Sequence, residues 1–90
     1  MSTPRLTLYL AGDAARFAPA IEGLRRTARQ RFGREVELEL VDVLSDPERA
    51  RADGVLLAPT LVLGDPRQGP RVFGDLSAPE GVFATLGLDG

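Results

Sequence analysis

The chain has 90 residues, 11 basic against 13 acidic side chains, a net charge of −2, and neither cysteine nor histidine. That length gives one domain with a thin core, because a chain of this size buries only about 60–65% of its unfolded surface. No apolar run reaches the length of a membrane span. The charge balance argues against a nucleic-acid or anionic-membrane binder, and the lack of cysteine excludes thiol redox chemistry and disulfides.

The first element alternates from Arg5 to Ala11, with Leu6, Leu8 and Leu10 on one face and Thr7, Tyr9 and Ala11 on the other. Both faces are apolar enough for a central strand, and Gly12-Asp13 ends it. Phe17, Ile21, Leu24, Ala28 and Phe32 then follow at the spacing of one α-helical face, with Arg25, Arg26, Arg29 and Arg31 mostly off it. Pro19 is compatible with this helix if the regular part starts near Ala18, and Gly33 stands where a left-handed cap is common.

A second strand runs from Glu35 to Val43. Val36, Leu38 and Leu40 face one way, Glu35, Glu37 and Glu39 the other, and Val41 and Val43 make its far end apolar on both faces. Strand, helix, strand in this span is a βαβ unit with parallel strands and a right-handed crossover. Ser45-Asp46-Pro47-Glu48 starts a short helix ending near Gly54. Either Asp46 caps it with Pro47 in the first turn, or Ser45 and Glu48 form a capping box. Thr60–Leu63 and Arg71–Phe73 are short apolar runs around the turn-rich Gly64–Pro70, which predicts an antiparallel hairpin. The last stretch carries conflicting signals: Ser77-Ala78-Pro79-Glu80 is a helix-start pattern, while Gly81, Thr85 and Gly87 weaken a helix and Val82-Phe83 suit a strand.

Residues able to carry chemistry are scarce. One glycine at Gly12-Asp13 is far short of a phosphate loop, so the pair reads as a turn and helix cap. Glu35, Glu37 and Glu39 read as a solvated strand face, having no histidine or cysteine to complete a metal site. Tyr9 is the only tyrosine, and no carboxylate pair stands out, so general acid–base catalysis is poorly supplied. The expectation is a protein with no catalytic residue, no cofactor and no metal. Arg16, Arg25, Arg26 and Arg29 form a basic stripe on the first helix, either a solvated face or a docking face for an acidic partner.

Five short words carry a family resemblance: Leu8-Tyr9-Leu10-Ala11-Gly12, Val41-Asp42-Val43-Leu44, Asp46-Pro47, Ala58-Pro59-Thr60-Leu61 and Gly74-Asp75-Leu76-Ser77. In this order and spacing the chain resembles the circadian clock protein family KaiB, without a gap from Leu8 to Ser77 and onward to about Leu88. The resemblance implies one α/β domain over residues 1–90, thioredoxin-like with order βαβαββα. The alternative is the KaiB ground-state order βαββααβ, since KaiB proteins are known to switch between the two. It implies a non-catalytic module that binds the N-terminal ring of a KaiC-type ATPase and modulates rhythmic timing. A cytoplasmic location is the default expectation, since residues 1–5 show no secretory signal pattern. Dimers or tetramers are possible, and neither nucleic acid nor membrane is a partner. The alternative is an orphan KaiB-like signalling module serving a sensor kinase or a stress response. A small thioredoxin-fold enzyme is disfavoured because there is no cysteine.

By the same resemblance, the partner-binding side includes Arg25, Arg29, Glu37 and Glu39, with Arg71 as a further matched position. Pro59 takes the place of the thioredoxin cis-proline, and Pro59, Gly74 and Asp75 are structural. The chain departs from the family between Leu61 and Phe73, where lysine and paired arginines are usual. Here Pro70 stands beside Arg71, and the Pro/Gly-rich segment favours a hairpin over a helix. The acidic tail of many clock members is missing.

Overall fold

Arg5–Leu10 forms β1, and its two apolar faces place it at the centre of the sheet: Leu6, Leu8 and Leu10 are buried on one side, Thr7 and Tyr9 on the other. The structure is a computed structural model that describes residues 5–12, 14–32, 37–55, 57–74, 76 and 78–86. β2 (Glu37–Asp42) lies parallel to β1 with Leu8 opposite Leu40. β3 (Thr60–Leu63) lies antiparallel on the other side of β1, with Leu8 opposite Leu61, and β4 (Arg71–Phe73) pairs antiparallel with β3. The strand order is therefore β2-β1-β3-β4.

A 3-10 turn (Ala14–Phe17) leads into α1 (Ala18–Phe32). Pro19 falls in the first turn of α1, where its missing N–H has no intrahelical acceptor to lose. Ile21, Leu24 and Ala28 bring α1 down on Leu6, Leu8, Leu10 and Leu61. α3 (Pro79–Thr85) adds Val82 and Phe83 to the same layer, joined by Leu76 and Leu86. Packing decides the ambiguous C-terminal stretch in favour of a helix. Spacing of 3 to 4 residues is what puts Val82, Phe83 and Leu86 on this core together. The cap position is Ala78, which makes no side-chain cap bond. Ser77, Gly33 and Asp75 lie outside the described residues.

The opposite face is smaller. Tyr9, Val41 and Val62 meet Ala50 and Val55, with α2 (Pro47–Ala52) above them. Of the two caps the sequence allows, Asp46 is the one formed: its carboxylate accepts from Arg49 N at 3.2 Å, with Pro47 opening the helix. The Ser45 hydroxyl instead donates to Asp42 at 3.0 Å. The β3–β4 turn depends on Gly69. A Cβ there would lie 1.8 Å from the Leu63 carbonyl oxygen, while its own N–H donates to Asp65 O at 2.7 Å.

Two expectations need correction. The second strand ends at Asp42, with Val43 in the following turn, while Glu35 and Val36 lie outside the described residues. Leu40 is 43% exposed despite sharing a face with the half-buried Leu38, because β2 is an edge strand that α1 does not fully cover there.

Candidate functional site

The α2 face holds a chain of polar contacts that alternation alone does not reveal. β2 presents Glu39 and β1 presents Tyr9 towards α2, which carries Arg49 and, at its C-cap, Asp53. Arg49 donates twice to Glu39, Nη2 to Oε1 at 2.8 Å and Nη1 to Oε2 at 2.9 Å, and its Nε donates to Asp53 Oδ2 at 3.1 Å. Arg5 donates to Glu39 at 3.2 Å. The buried Tyr9 hydroxyl donates to Asp53 Oδ2 at 2.7 Å. Arg71 completes the set from β4, donating to Asp53 O at 3.3 Å and to Pro66 O at 2.8 Å.

Glu39 is thus not the solvated position its row suggests. The Arg49 guanidinium, helped by Arg5, holds its carboxyl down at about 2. Burial, then the hydrogen bond to Asp53, pushes the Tyr9 phenol well above its usual range, so Tyr9 is a donor and not an acid. Arg49 is held still more firmly protonated, first by Glu39 and then by Asp53. The Glu39 and Asp53 carboxylates are both paired with Arg49, and Arg71 is tied to backbone carbonyls. This is an arrangement that fixes α2 to the sheet.

The proposed contact residues fall on two layers. Arg25 (half-buried) and Arg29 (exposed) lie on α1, on one side of the sheet. Glu39 and Arg71 share the network on the α2 side. Glu37 is exposed at the β2 edge, where Arg5, Glu37, Leu38 and Glu39 line a surface hollow of about 380 Å³. The Ala58–Pro59 peptide is cis, and the Pro59 carbonyl accepts from Gly74 N at 3.1 Å. Gly74 has φ +108°, a conformation that side chains rarely adopt.

Gly12 is a turn residue with φ +82°, and its N–H donates to Asp42 at 3.0 Å. Sequence reasoning missed Tyr9, Arg49 and Asp53. The available signals were a lone tyrosine in a buried strand, which needs a partner for its hydroxyl, and the i, i+4 spacing of Arg49 and Asp53. Among the described residues no three His, Cys, Asp or Glu side chains converge as a metal site requires. None of the helices among them is long and apolar enough to cross a membrane.

The comparisons agree with this geometry. The KaiB domain family model matches residues 7–88. The chain is 36% identical over 84 residues to the circadian clock protein KaiB3 of Synechocystis sp., covering 93% of this chain and 80% of that one. It is 38% identical over 84 residues to the circadian clock oscillator protein KaiB of Prochlorococcus marinus, covering 93% and 69%. In structure it is similar to the N-terminal domain of Synechococcus elongatus SasA, with TM-score 0.67 at 12% identity over 99% and 84% of the two chains. It is also similar to a mutant thioredoxin from Halobacterium salinarum, with TM-score 0.62 at 27% identity over 94% and 76%. The fold is thioredoxin-like, and the chain belongs to the KaiB family of circadian clock proteins.

Proposed function

We propose that this chain is a non-catalytic, cytoplasmic interaction module that binds a KaiC-type ATPase and so modulates rhythmic timing. The observation that carries the reading is the KaiB match across residues 7–88. The chemistry supports it: a thioredoxin-like frame without cysteine has no thiolate with which to do thioredoxin work. Arg25 and Arg29 on α1 supply cationic, bidentate contacts for an acidic partner surface. Glu37 stands at the β2 edge, while Glu39 and Arg71 contribute by holding α2 and β4 in place behind it. The test is biolayer interferometry against a KaiC-type ATPase loaded with ATP. The double variant Arg25→Glu, Arg29→Glu should weaken binding by about tenfold or more, with the fold intact. Unchanged affinity at low salt would sink this assignment.

One observation favours the second reading, an orphan signalling module serving a sensor kinase. Arg71 spends two guanidinium nitrogens on internal carbonyls and has Pro70 as its neighbour. Arg71 keeps its charge but has fewer donors free for a partner, and Pro70 adds no second cation beside it, so β4 offers less than the paired basic positions expected of a KaiC-binding surface. Binding to a sensor kinase with no measurable affinity for the ATPase would establish this alternative.

A further inference from the structure

Exposed apolar side chains on this protein are not scattered. Four large ones are exposed among the described residues, and three of them, Leu44 (71%), Leu57 (57%) and Phe73 (56%), lie at one end of the sheet. Leu44 is in the turn after β2, Leu57 approaches β3, and Phe73 is the last residue of β4. The register brings the strand ends they adjoin level with one another: Asp42 pairs with Leu10, Thr60 with Tyr9, and Phe73 with Thr60, with Leu44 two residues beyond Asp42 and Leu57 three before Thr60. Across the order β2-β1-β3-β4 the row covers three strand spacings, about 14 Å. Gly12 lies beside Leu44, where a Cβ would come within 3.3 Å of Leu44 Cδ1. This is also the end at which the parallel strands β1 and β2 finish, the side on which open α/β sheets hold their ligands. Isolated surface leucines need no explanation, but a row of apolar groups at one end does.

Charge selects the occupant. Asp42 and Asp46 flank Leu44 in the turn before α2, and Glu48 opens that helix. Arg49, beside it, has its charge turned into the pairs with Glu39 and Asp53, which leaves the exposed Arg16 in the 3-10 turn as the basic group that follows Gly12. The Asp42 carboxyl is kept below its ordinary range by the Leu44 N–H, then by the Gly12 N–H and the Ser45 hydroxyl. A second copy meeting this end face to face would set these carboxylates against their own equivalents, and an anionic bilayer would be repelled. We propose that the sheet end formed by Leu44, Leu57 and Phe73 around Gly12 docks a basic peptide segment of another protein, with large apolar anchors flanked by arginine or lysine. A helical segment of about nine or ten residues spans the row. This surface is separate from the α1 arginines and stands or falls independently of them.

The test is an NMR titration of the isotope-labelled chain with two synthetic amphipathic peptides of about 14 residues. Both carry leucine on one face, one with lysine and the other with glutamate on the opposite face. The lysine peptide should shift the amides of Gly12, Leu44, Leu57 and Gly74 and leave those of α1 in place. Leu44→Lys and Leu57→Lys should each cut its affinity about tenfold or more, while the remaining amides keep their positions. Leu57 is a loop residue, so its variant separates lost binding from lost folding. No shift at millimolar peptide, shifts confined to α1 or β2, or equal binding of the glutamate peptide would each overturn the proposal. Light scattering that shows a dimer abolished by Leu44→Lys would assign the surface to a second copy and overturn it as well.

Discussion

Replacing Glu39 by glutamine tests whether the ionic chain under α2 holds the domain together. The substitution keeps the size of the side chain but removes the charge that meets Arg49 at 2.8 and 2.9 Å and Arg5 at 3.2 Å. The carboxyl titrates at about 2 in the folded protein against 4.5 for a free side chain. A depression of that size, unscreened, is worth about 3 kcal/mol. The Glu39 and Arg49 side chains are 38% and 31% exposed, so solvent screening brings the figure to about 1–2 kcal/mol. Because the folded value is the lower one, the contribution is present above about 4.5 and is lost as pH falls towards about 2.

Urea unfolding of wild type and Glu39→Gln at pH of about 7, 4.5 and 3 reads this directly. The wild type should be more stable by about 1–2 kcal/mol at neutral pH, equivalent to about 4–16 °C in Tm for a domain of this size. The gap should narrow steadily below about 4.5. A cycle with Arg49→Met should show coupling of about 1 kcal/mol, since the two residues touch. A gap that stays constant across this pH range, or a coupling near zero, would refute the reasoning.

Gly69→Ala should destabilise by more than about 2 kcal/mol, measured by thermal unfolding, because its Cβ would meet the Leu63 carbonyl at 1.8 Å and the hairpin would have to open. Gly81→Ala should stabilise by about 0.5–1 kcal/mol in the same assay, since this exposed helical position has nothing within 4 Å of a new Cβ. Phe83→Ala removes a fully buried ring from the larger core and should cost about 3–5 kcal/mol, enough to leave the protein largely unfolded on warming by circular dichroism. Tyr9, held above its usual range, should show no tyrosinate absorbance until the protein unfolds in alkali. Its stabilising contribution is present below about 10 and fades as pH rises beyond it.

Most of the frame was legible because its signals are local and agree with one another. Leu6, Leu8 and Leu10 alternate, Ile21, Leu24 and Ala28 keep helical spacing, and Asp46-Pro47 marks a helix start that formed as read. The hairpin bounds followed from turn chemistry between Leu63 and Arg71. Two kinds of information were not local. The choice between helix and strand at Val82-Phe83 was settled by burial against α1 and β1, which no short window contains. The links of Tyr9 to Asp53 and of Glu39 to Arg49 join residues 44 and 10 positions apart, so periodicity could place each residue on a face but could not name its partner. Leu44 was legible only as part of a family word, and its exposure emerged with the sheet end on which it sits.

The central claim is that this KaiB-family chain works by binding a KaiC-type ATPase. Size-exclusion chromatography with light scattering, on the chain mixed with the ATP-loaded ATPase, tests it most directly. The account predicts a ring complex that carries bound copies of this chain and is diminished by the double charge reversal at Arg25 and Arg29. An ATPase ring of unchanged mass, with this chain eluting separately after prolonged incubation at low salt, would contradict it.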